Sequence, residues 1–145
     1  MKINSAAVIG TGFIGTVHVE SIRRTGVHVK GVLAGNTQST QAGAKKLLVD
    51  KAYESLDQIC DDKDVSVVHV TSPNALHYEQ VKQLLTAGKH VVCEKPLALS
   101  AKEGKELVEL AKKTGLVNAT CFNTRFYPMV HEAKHLISTN LIGAP

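Results

Sequence analysis

Apolar residues along this chain fall into two alternating rhythms. One is a set of short, nearly continuous runs: Ile3 to Ile9, Val27 to Ala34, Val65 to Val70, His90 to Cys93 and Val117 to Phe122, with a briefer Ala52-Tyr53. Continuous rather than alternating apolar runs are what strands show when both faces of a parallel sheet are covered. Between these runs the apolar residues recur at helical spacing. Ile14, Val17, Ser21 and Ile22 mark the inner stripe of a helix predicted from Phe13 to Thr25 and stopped by Gly26. Thr40 to Leu48 is a second helix, with Gly43 a soft spot, and Ser55-Leu56-Asp57-Gln58 is a capping box opening a short one to about Asp61. Tyr78 to Ala87 turns Val81, Leu84 and Leu85 inward before Gly88. A further capping box, Ser100-Ala101-Lys102-Glu103, opens a helix to about Lys113 with Leu107, Val108, Leu110 and Ala111 on its inner face and Gly115 beyond. Met129 to Thr139 is the last, with Val130, Ala133, Leu136 and Ile137 on one side. Strands alternating with helices predict an α/β fold, a doubly wound parallel sheet in three layers with strand order 3-2-1-4-5-6. Asp61-Asp62-Lys63-Asp64 reads as a polar turn without functional meaning.

The junction between the first strand and the first helix carries the first chemistry. Gly10-Thr11-Gly12-Phe13-Ile14-Gly15 is Gly-x-Gly-x-x-Gly placed after a strand and before a helix, the dinucleotide-binding fingerprint of a Rossmann fold. Gly10 permits the tight turn, Gly12 lets the backbone approach a pyrophosphate, and Gly15 lets the helix pack close to the strand. The phosphates would sit on the free N–H groups at the positive end of that helix. The plain alternative is a strand-to-helix turn with incidental glycines. His18, one turn further on, reads as a partly buried helix histidine rather than a catalytic group.

The end of the second strand bears on which cofactor binds. An Asp or Glu there accepts hydrogen bonds from the adenosine ribose and selects NAD. Here the chain reads Ala34-Gly35-Asn36-Thr37-Gln38-Ser39-Thr40, with no acidic residue between Glu20 and Asp50. A carboxylate would repel a 2′-phosphate, and Asn36, Thr37, Ser39 and Thr40 can donate to one. No Arg follows the strand. The reading favours NADP, with NAD the alternative, and Asn36-Thr37 can equally be a helix cap.

Two later strand ends draw attention because ligands of open α/β sheets bind at the carboxyl ends of strands. The run to Val70 ends in Thr71-Ser72-Pro73-Asn74-Ala75-Leu76-His77. Asn74 can bond a carboxamide or hydroxyl, and His77 faces either the cleft or along the helix. The run to Cys93 ends in Glu94-Lys95-Pro96. A lysine there is either a surface cation or, beside an oxidised nicotinamide, a group suited to proton transfer. The proline after it fixes the backbone, with a cis bond one way of doing so.

Composition narrows the classes. The 145 residues make one ordinary domain with near-average apolar and charged fractions. A net charge of +4 suits an anionic cofactor, but the cations are dispersed, with no basic run interleaved with aromatics, so nucleic acid is not expected. Cys60, Cys93 and Cys121 lie far apart. Cys93 and Cys121 sit in apolar runs and read as buried small hydrophobes, not as metal ligands or bridges. A reducing, cytoplasmic setting fits, and neither a signal peptide nor a long apolar span is visible.

Taken together, Val8 to Gly15, Thr71-Ser72-Pro73-Asn74 with His77, Ala87-Gly88-Lys89-His90-Val91 and Glu94-Lys95-Pro96 resemble, in order and spacing, the Gfo/Idh/MocA oxidoreductases. These are the relatives of glucose–fructose oxidoreductase and inositol dehydrogenase, which use NAD or NADP to oxidise or reduce sugars, polyols and related compounds. The resemblance covers essentially the whole chain. It implies that Gly10, Gly12, Phe13 and Ile14 line the pyrophosphate, and that Asn74 and Glu94 lie near the ribose and nicotinamide. Lys95 would be the catalytic-site lysine that orients substrate and assists proton transfer. With Gly15, Gly35, Asn36, Thr37, Thr71, Pro73 and His77 these complete the expected cofactor-binding set on the first six strands. Gly35-Asn36 is similar to the NADP-preferring members. Asn123-Thr124-Arg125-Phe126-Tyr127-Pro128 resembles the segment leading out of the cofactor domain; Arg125 either meets cofactor or substrate or pairs structurally at the domain edge.

The expected division is a dinucleotide-binding domain over residues 1–122 and, over 123–145, a linker and the first helix of a second domain. In the family an α+β domain with a large open sheet begins about here and forms the other wall of the substrate cleft. With that wall absent, the expectation is a truncated chain that binds dinucleotide without efficient turnover, since hydride transfer needs both reactants fixed. Its last helix, left exposed, would favour self-association. Two readings compete with this one: a stand-alone dinucleotide sensor, in which Lys95 is idle, and another nucleotide-fold enzyme such as an adenosylmethionine-dependent methyltransferase.

Overall fold

The computed structural model describes residues 5–143; Ile3 of the first apolar run and the terminal Ala144-Pro145 lie outside them. The elements follow one another as β1 (Ser5–Ile9), α1 (Phe13–Arg24), β2 (His28–Leu33), α2 (Thr37–Leu47), β3 (Lys51–Ala52), α3 (Leu56–Asp61), β4 (Val65–Val70), α4 (His77–Thr86), β5 (His90–Glu94), α5 (Ala101–Thr114), β6 (Asn118–Cys121) and α6 (Pro128–Ser138). Short 3₁₀ turns at Asn74–Leu76 and Asn123–Phe126 precede α4 and α6. The six strands form one sheet in the order β3-β2-β1-β4-β5-β6, every pairing parallel. This is the doubly wound Rossmann arrangement that the strand–helix alternation predicts.

Two apolar clusters, one on each face, make the three layers. Val19 and Ile22 of α1 and Ala44 and Leu47 of α2 pack on Ala6, Val8, Val29, Val32 and Val67. On the other face Ile59 of α3, Val81, Leu84 and Leu85 of α4, and Leu107 and Ala111 of α5 pack on Ala7, Ile9, Val68, Val70, Val91 and Cys93. The central strands need apolar residues on both sides, which is why β1 is buried along its whole length. Among the described residues no helix is long and apolar enough to cross a membrane.

Several local expectations are corrected. The inward stripe of α1 is Gly15, Val19 and Ile22, a true i, i+4, i+7 face, while Ile14 and Val17 are exposed. Gly15 occupies the first inward position because nothing larger fits there. Helix α2 begins at Thr37 and not Thr40, since Asn36 caps it: its Oδ1 accepts from Ser39 N–H at 2.8 Å and Ser39 Oγ in turn accepts from Asn36 N–H. Gly43 is a packing requirement and not a soft spot, because a Cβ there would fall 2.6 Å from the Thr11 side chain. In α5 Val108 points to solvent. At α3 Ser55 accepts from Gln58 N–H, but Gln58 Oε1 accepts from Glu54 N–H, one residue before the cap. Helix α6 carries its apolar residues outward, with none of its residues buried.

The polar turn at residues 61–64 is a structural junction. Asp62 accepts from Lys30 Nζ at 2.7 Å, Tyr53 Oη at 2.9 Å, Lys51 Nζ at 3.3 Å and Asp64 N–H at 3.1 Å. Burial alone would raise its carboxyl, but these hydrogen bonds hold it well below the usual carboxylate range. Nearby, the buried Lys89 ammonium donates to the carbonyls of Asp62 and Val65 at 2.7 and 2.9 Å. Burial lowers its pKa, and the two carbonyls satisfy it. Lys89 therefore anchors the turn before β4 and lies away from the carboxyl rim.

Candidate functional site

The carboxyl ends of the strands converge on one rim. Gly10 closes β1 with φ +98, and its N–H donates to Leu33 O of β2 at 2.7 Å. Thr71 N–H, after β4, donates to Ile9 O at 2.7 Å, and its hydroxyl donates to the same oxygen at 2.8 Å. The loops after β1, β2 and β4 are thereby tied into one wall. A Cβ on Gly10 would fall 2.5 Å from Thr71 O, and one on Gly15 would run into the Gly10 carbonyl. Around Gly12, in contrast, a Cβ would meet nothing within 4 Å. That open side faces a cleft of about 630 Å³ lined by Gly10 to Ile14, Gly35, Ser39, Thr71 to Pro73 and Leu76, among others. Helix α1 starts there with Gly12 as its cap, no side chain bonding its first N–H groups and no acidic residue in its first turn. These are the conditions under which a helix start receives an anion.

The structure thus brings Gly10, Gly12, Phe13, Ile14, Gly35, Thr71 and Pro73 together on one cleft. Gly15 lies behind it as the contact that lets α1 approach. Asn36 and Thr37 are exposed at the start of α2, next to Gly35. Asn36 uses its Oδ1 in the cap, which leaves its amide N–H groups outside it. Thr40 is lost as a phosphate donor: it is 1% exposed and its hydroxyl bridges Ala34 N–H and Asn36 O. Ser39 is partly committed in the same way, donating to Asn36 O. Asn74 is exposed on the rim at the start of its 3₁₀ turn. Gln80, which carries no local motif, reaches the cleft and accepts from Ser72 Oγ at 2.6 Å.

Lys95 is exposed at the end of β5, followed by a cis peptide to Pro96. Among the described residues its ammonium has no partner. His77 does not face the cleft. It is fully buried, with Nδ1 2.7 Å from Pro96 O and Nε2 2.8 Å from Ser72 O, and so joins the loops after β4 and β5 from behind. Glu94 also turns away: strand alternation sends its side chain to the α1 face, where Oε1 lies 3.2 Å from His18 Nε2. Arg125 stands exposed in the 3₁₀ turn before α6 and, among the described residues, pairs with no carboxylate.

His69 is a residue that the sequence did not single out. Its Nδ1 lies 2.8 Å from His18 Nδ1. Burial, and secondarily the neighbouring His18, pulls its pKa down to about 4. Cys121 pairs in register with Glu94 and is only partly buried; burial and the Glu94 carboxylate push its thiol up. Cys93 fits the reading of a buried hydrophobe, its thiol pushed up to about 12 by burial.

Comparison with known proteins agrees with this geometry. The chain is 33% identical over 139 residues to myo-inositol 2-dehydrogenase of Thermotoga maritima, covering 95% of this chain and 42% of that one. It is 32% identical over 127 residues to 1,5-anhydro-D-fructose reductase of Ensifer adhaerens, covering 88% and 38%. Among solved structures, levoglucosan dehydrogenase in complex with NADH and levoglucosan superposes with a TM-score of 0.87 at 30% identity, over 96% of this chain and 40% of that one. The chain spans about two fifths of the length of such relatives. Residues 5–121 match the Gfo/Idh/MocA oxidoreductases, described as having an NAD-binding Rossmann fold, and the chain belongs to that family.

Proposed function

We propose that this chain is the cofactor-binding half of a dehydrogenase that moves hydride between NADP and a sugar, polyol or related hydroxy or keto compound. The observation that carries the reading is the shared rim. An open glycine cradle at a helix start, an acid-free loop after β2 and an exposed lysine after β5 all lie at strand carboxyl ends. The cradle fits a pyrophosphate because Gly12 presents backbone and no side chain, and the α1 N–H groups point at the anion. Asn36, Thr37 and the start of α2 would hold the 2′-phosphate. Asn74 and Arg125 would meet the ribose, carboxamide or substrate.

A nicotinamide held in this cleft would supply or accept the hydride. Lys95 would orient the reacting hydroxyl or carbonyl and carry its proton. Pro73, Thr71 and Phe13 would flank the dinucleotide, and His77 would keep the loops of Ser72 and Pro96 in place. These 145 residues by themselves would bind cofactor with little turnover, because one wall does not fix both reactants. Relatives whose names give sugars and inositols as substrates support the substrate class.

Titration with NADPH and NADH tests the reading, followed by nicotinamide fluorescence in a chain that has no Trp. Saturable binding with NADPH the tighter is expected. Tighter NADH overturns the cofactor preference, and binding of neither overturns the function. Hydride transfer to a sugar panel at the rate of a competent dehydrogenase would overturn the claim that these residues alone turn over poorly.

A further inference from the structure

On the α1 face of the sheet, beneath the turn that carries Lys95, four metal-competent side chains meet from four different elements. His18 comes from α1, His69 from β4, Glu94 from β5 and Cys121 from β6. His18 Nε2 lies 3.2 Å from Glu94 Oε1 and 4.0 Å from Cys121 Sγ, and the three ligand atoms lie within 4.8 Å of one another. We propose that His18, Glu94 and Cys121 bind one divalent transition-metal ion of the zinc class, with His69 as the outer partner that orients His18.

The spacing is close to what such an ion requires. Tetrahedral zinc with its usual bond lengths holds a nitrogen and an oxygen ligand about 3.4 Å apart and a nitrogen and a sulfur ligand about 3.6 Å apart. Side-chain torsions of Cys121 and Glu94 suffice to close the difference. The donor chemistry selects the metal: an imidazole, a thiolate and a carboxylate suit zinc or cobalt, whereas magnesium and calcium take oxygen ligands. Three protein ligands leave a fourth position for water or an exogenous ligand.

The outer partner is already placed. A histidine that ligates through Nε2 carries its proton on Nδ1 and donates it outward. His18 Nδ1 meets His69 Nδ1 at 2.8 Å, and the two rings stand edge to face at 84°. With an ion on Nε2, His18 donates from Nδ1 and His69 accepts. Without one, His18 donates from Nε2 to Glu94 and accepts from His69. Both tautomers satisfy every nitrogen in these contacts, so ion binding asks for no rearrangement of the rings. The side chains of His18 and Glu94 are only 11% and 17% exposed, which limits competition from water. A groove of about 290 Å³, lined by His69 together with Val67, Val92 and Ala119, runs beside the outer partner. An ion here would bind α1, β5 and β6 together under Lys95 without touching the dinucleotide cleft, so the proposal does not depend on the cofactor reading.

Cobalt(II) titration of the untagged full chain tests it. One equivalent is expected to raise a thiolate-to-cobalt charge-transfer band, and zinc is expected to displace it. Cys121→Ser should remove the band and weaken binding at least 100-fold, while Cys60→Ser and Cys93→Ala keep it. His69→Ala should keep the band and weaken binding about 10- to 100-fold, the usual effect of losing an outer partner. X-ray absorption of the zinc-loaded wild-type chain reads the ligands without any variant, and should show one sulfur among nitrogen and oxygen neighbours. Absence of a thiolate band, a band that survives Cys121→Ser, or a zinc shell without sulfur overturns the proposal.

Discussion

The imidazole of His77 lies 2.7 Å from the carbonyl oxygen of Pro96, nineteen residues away in sequence and on the next strand's loop. Its other nitrogen is 2.8 Å from Ser72 O, so one buried ring spans the loops after β4 and β5. Replacing His77 by Leu takes the ring N–H donor from between these two buried carbonyls, and unfolding free energy should fall by about 1–3 kcal/mol. Dinucleotide affinity should fall several-fold in the same variant because both loops loosen. His77→Asn, which can still donate from near the Nδ1 position, should recover part of both losses. Urea unfolding and nicotinamide fluorescence read the two effects separately.

Gly12 and Gly15 differ by three positions, and their alanine variants should fail in different ways. Alanine at Gly15 drives a methyl into the Gly10 carbonyl and to 3.1 Å from Thr71 Oγ1. That overpacking should cost about 2–3 kcal/mol of stability, since α1 must retreat from the sheet. Alanine at Gly12 meets no protein atom within 4 Å. Its stability should match wild type within about 0.5 kcal/mol, while dinucleotide affinity drops tenfold or more because the methyl stands where the pyrophosphate would lie. Thermal unfolding and binding curves measured side by side separate the two outcomes.

Asn36→Asp is a clean probe of cofactor choice. Aspartate caps a helix as well as asparagine does, so α2 should keep its start and the fold its stability. The new carboxylate repels a 2′-phosphate and accepts from ribose hydroxyls. The ratio of NADPH to NADH affinity should therefore move at least tenfold toward NADH. An unchanged ratio would show that the 2′-phosphate is held elsewhere.

How much of this was legible depended on whether the signal was local. Val65–Val70 reads as a strand to the residue, because a β-branched run between polar turns has no other use. The α5 start reads equally well from its Ser100 and Glu103 capping box. The rim of the site follows from topology, since every loop after a strand's carboxyl end lies there. The start of α2 was misplaced because Asn36 and Ser39 carry two competing meanings, cap and phosphate donor, and only geometry shows the cap. The resemblance implies that Glu94 lies near the ribose and nicotinamide; that its side chain meets His18 on the α1 face is visible only in the structure. The cluster around His18 had no local signal at all. Its partners stand 51, 76 and 103 residues away, and only the β5–β6 register sets Cys121 beside Glu94.

Asp62 sets the acid limit of the fold. Its side chain is 8% exposed and takes hydrogen bonds from two lysines and from the hydroxyl of Tyr53, whose ring packs into the space that Gly31 leaves beside it. Because these bonds hold its carboxyl below the usual range, the folded chain releases this proton more readily than the unfolded chain does. The stabilisation is full above the unfolded value near 3.9 and is lost progressively as pH falls below it. Asp62→Asn keeps the shape and removes the charge. At neutral pH it should cost about 1–2 kcal/mol, less than a fully buried pair would, because solvent still reaches the lysines. The gap between wild type and variant should then close as pH drops from 5 toward 3, since protonation takes from the wild type what the substitution already took from the variant. Urea midpoints at three pH values check this. A gap that persists at low pH would mean that Asp62 acts through shape and hydrogen-bond direction and not through charge.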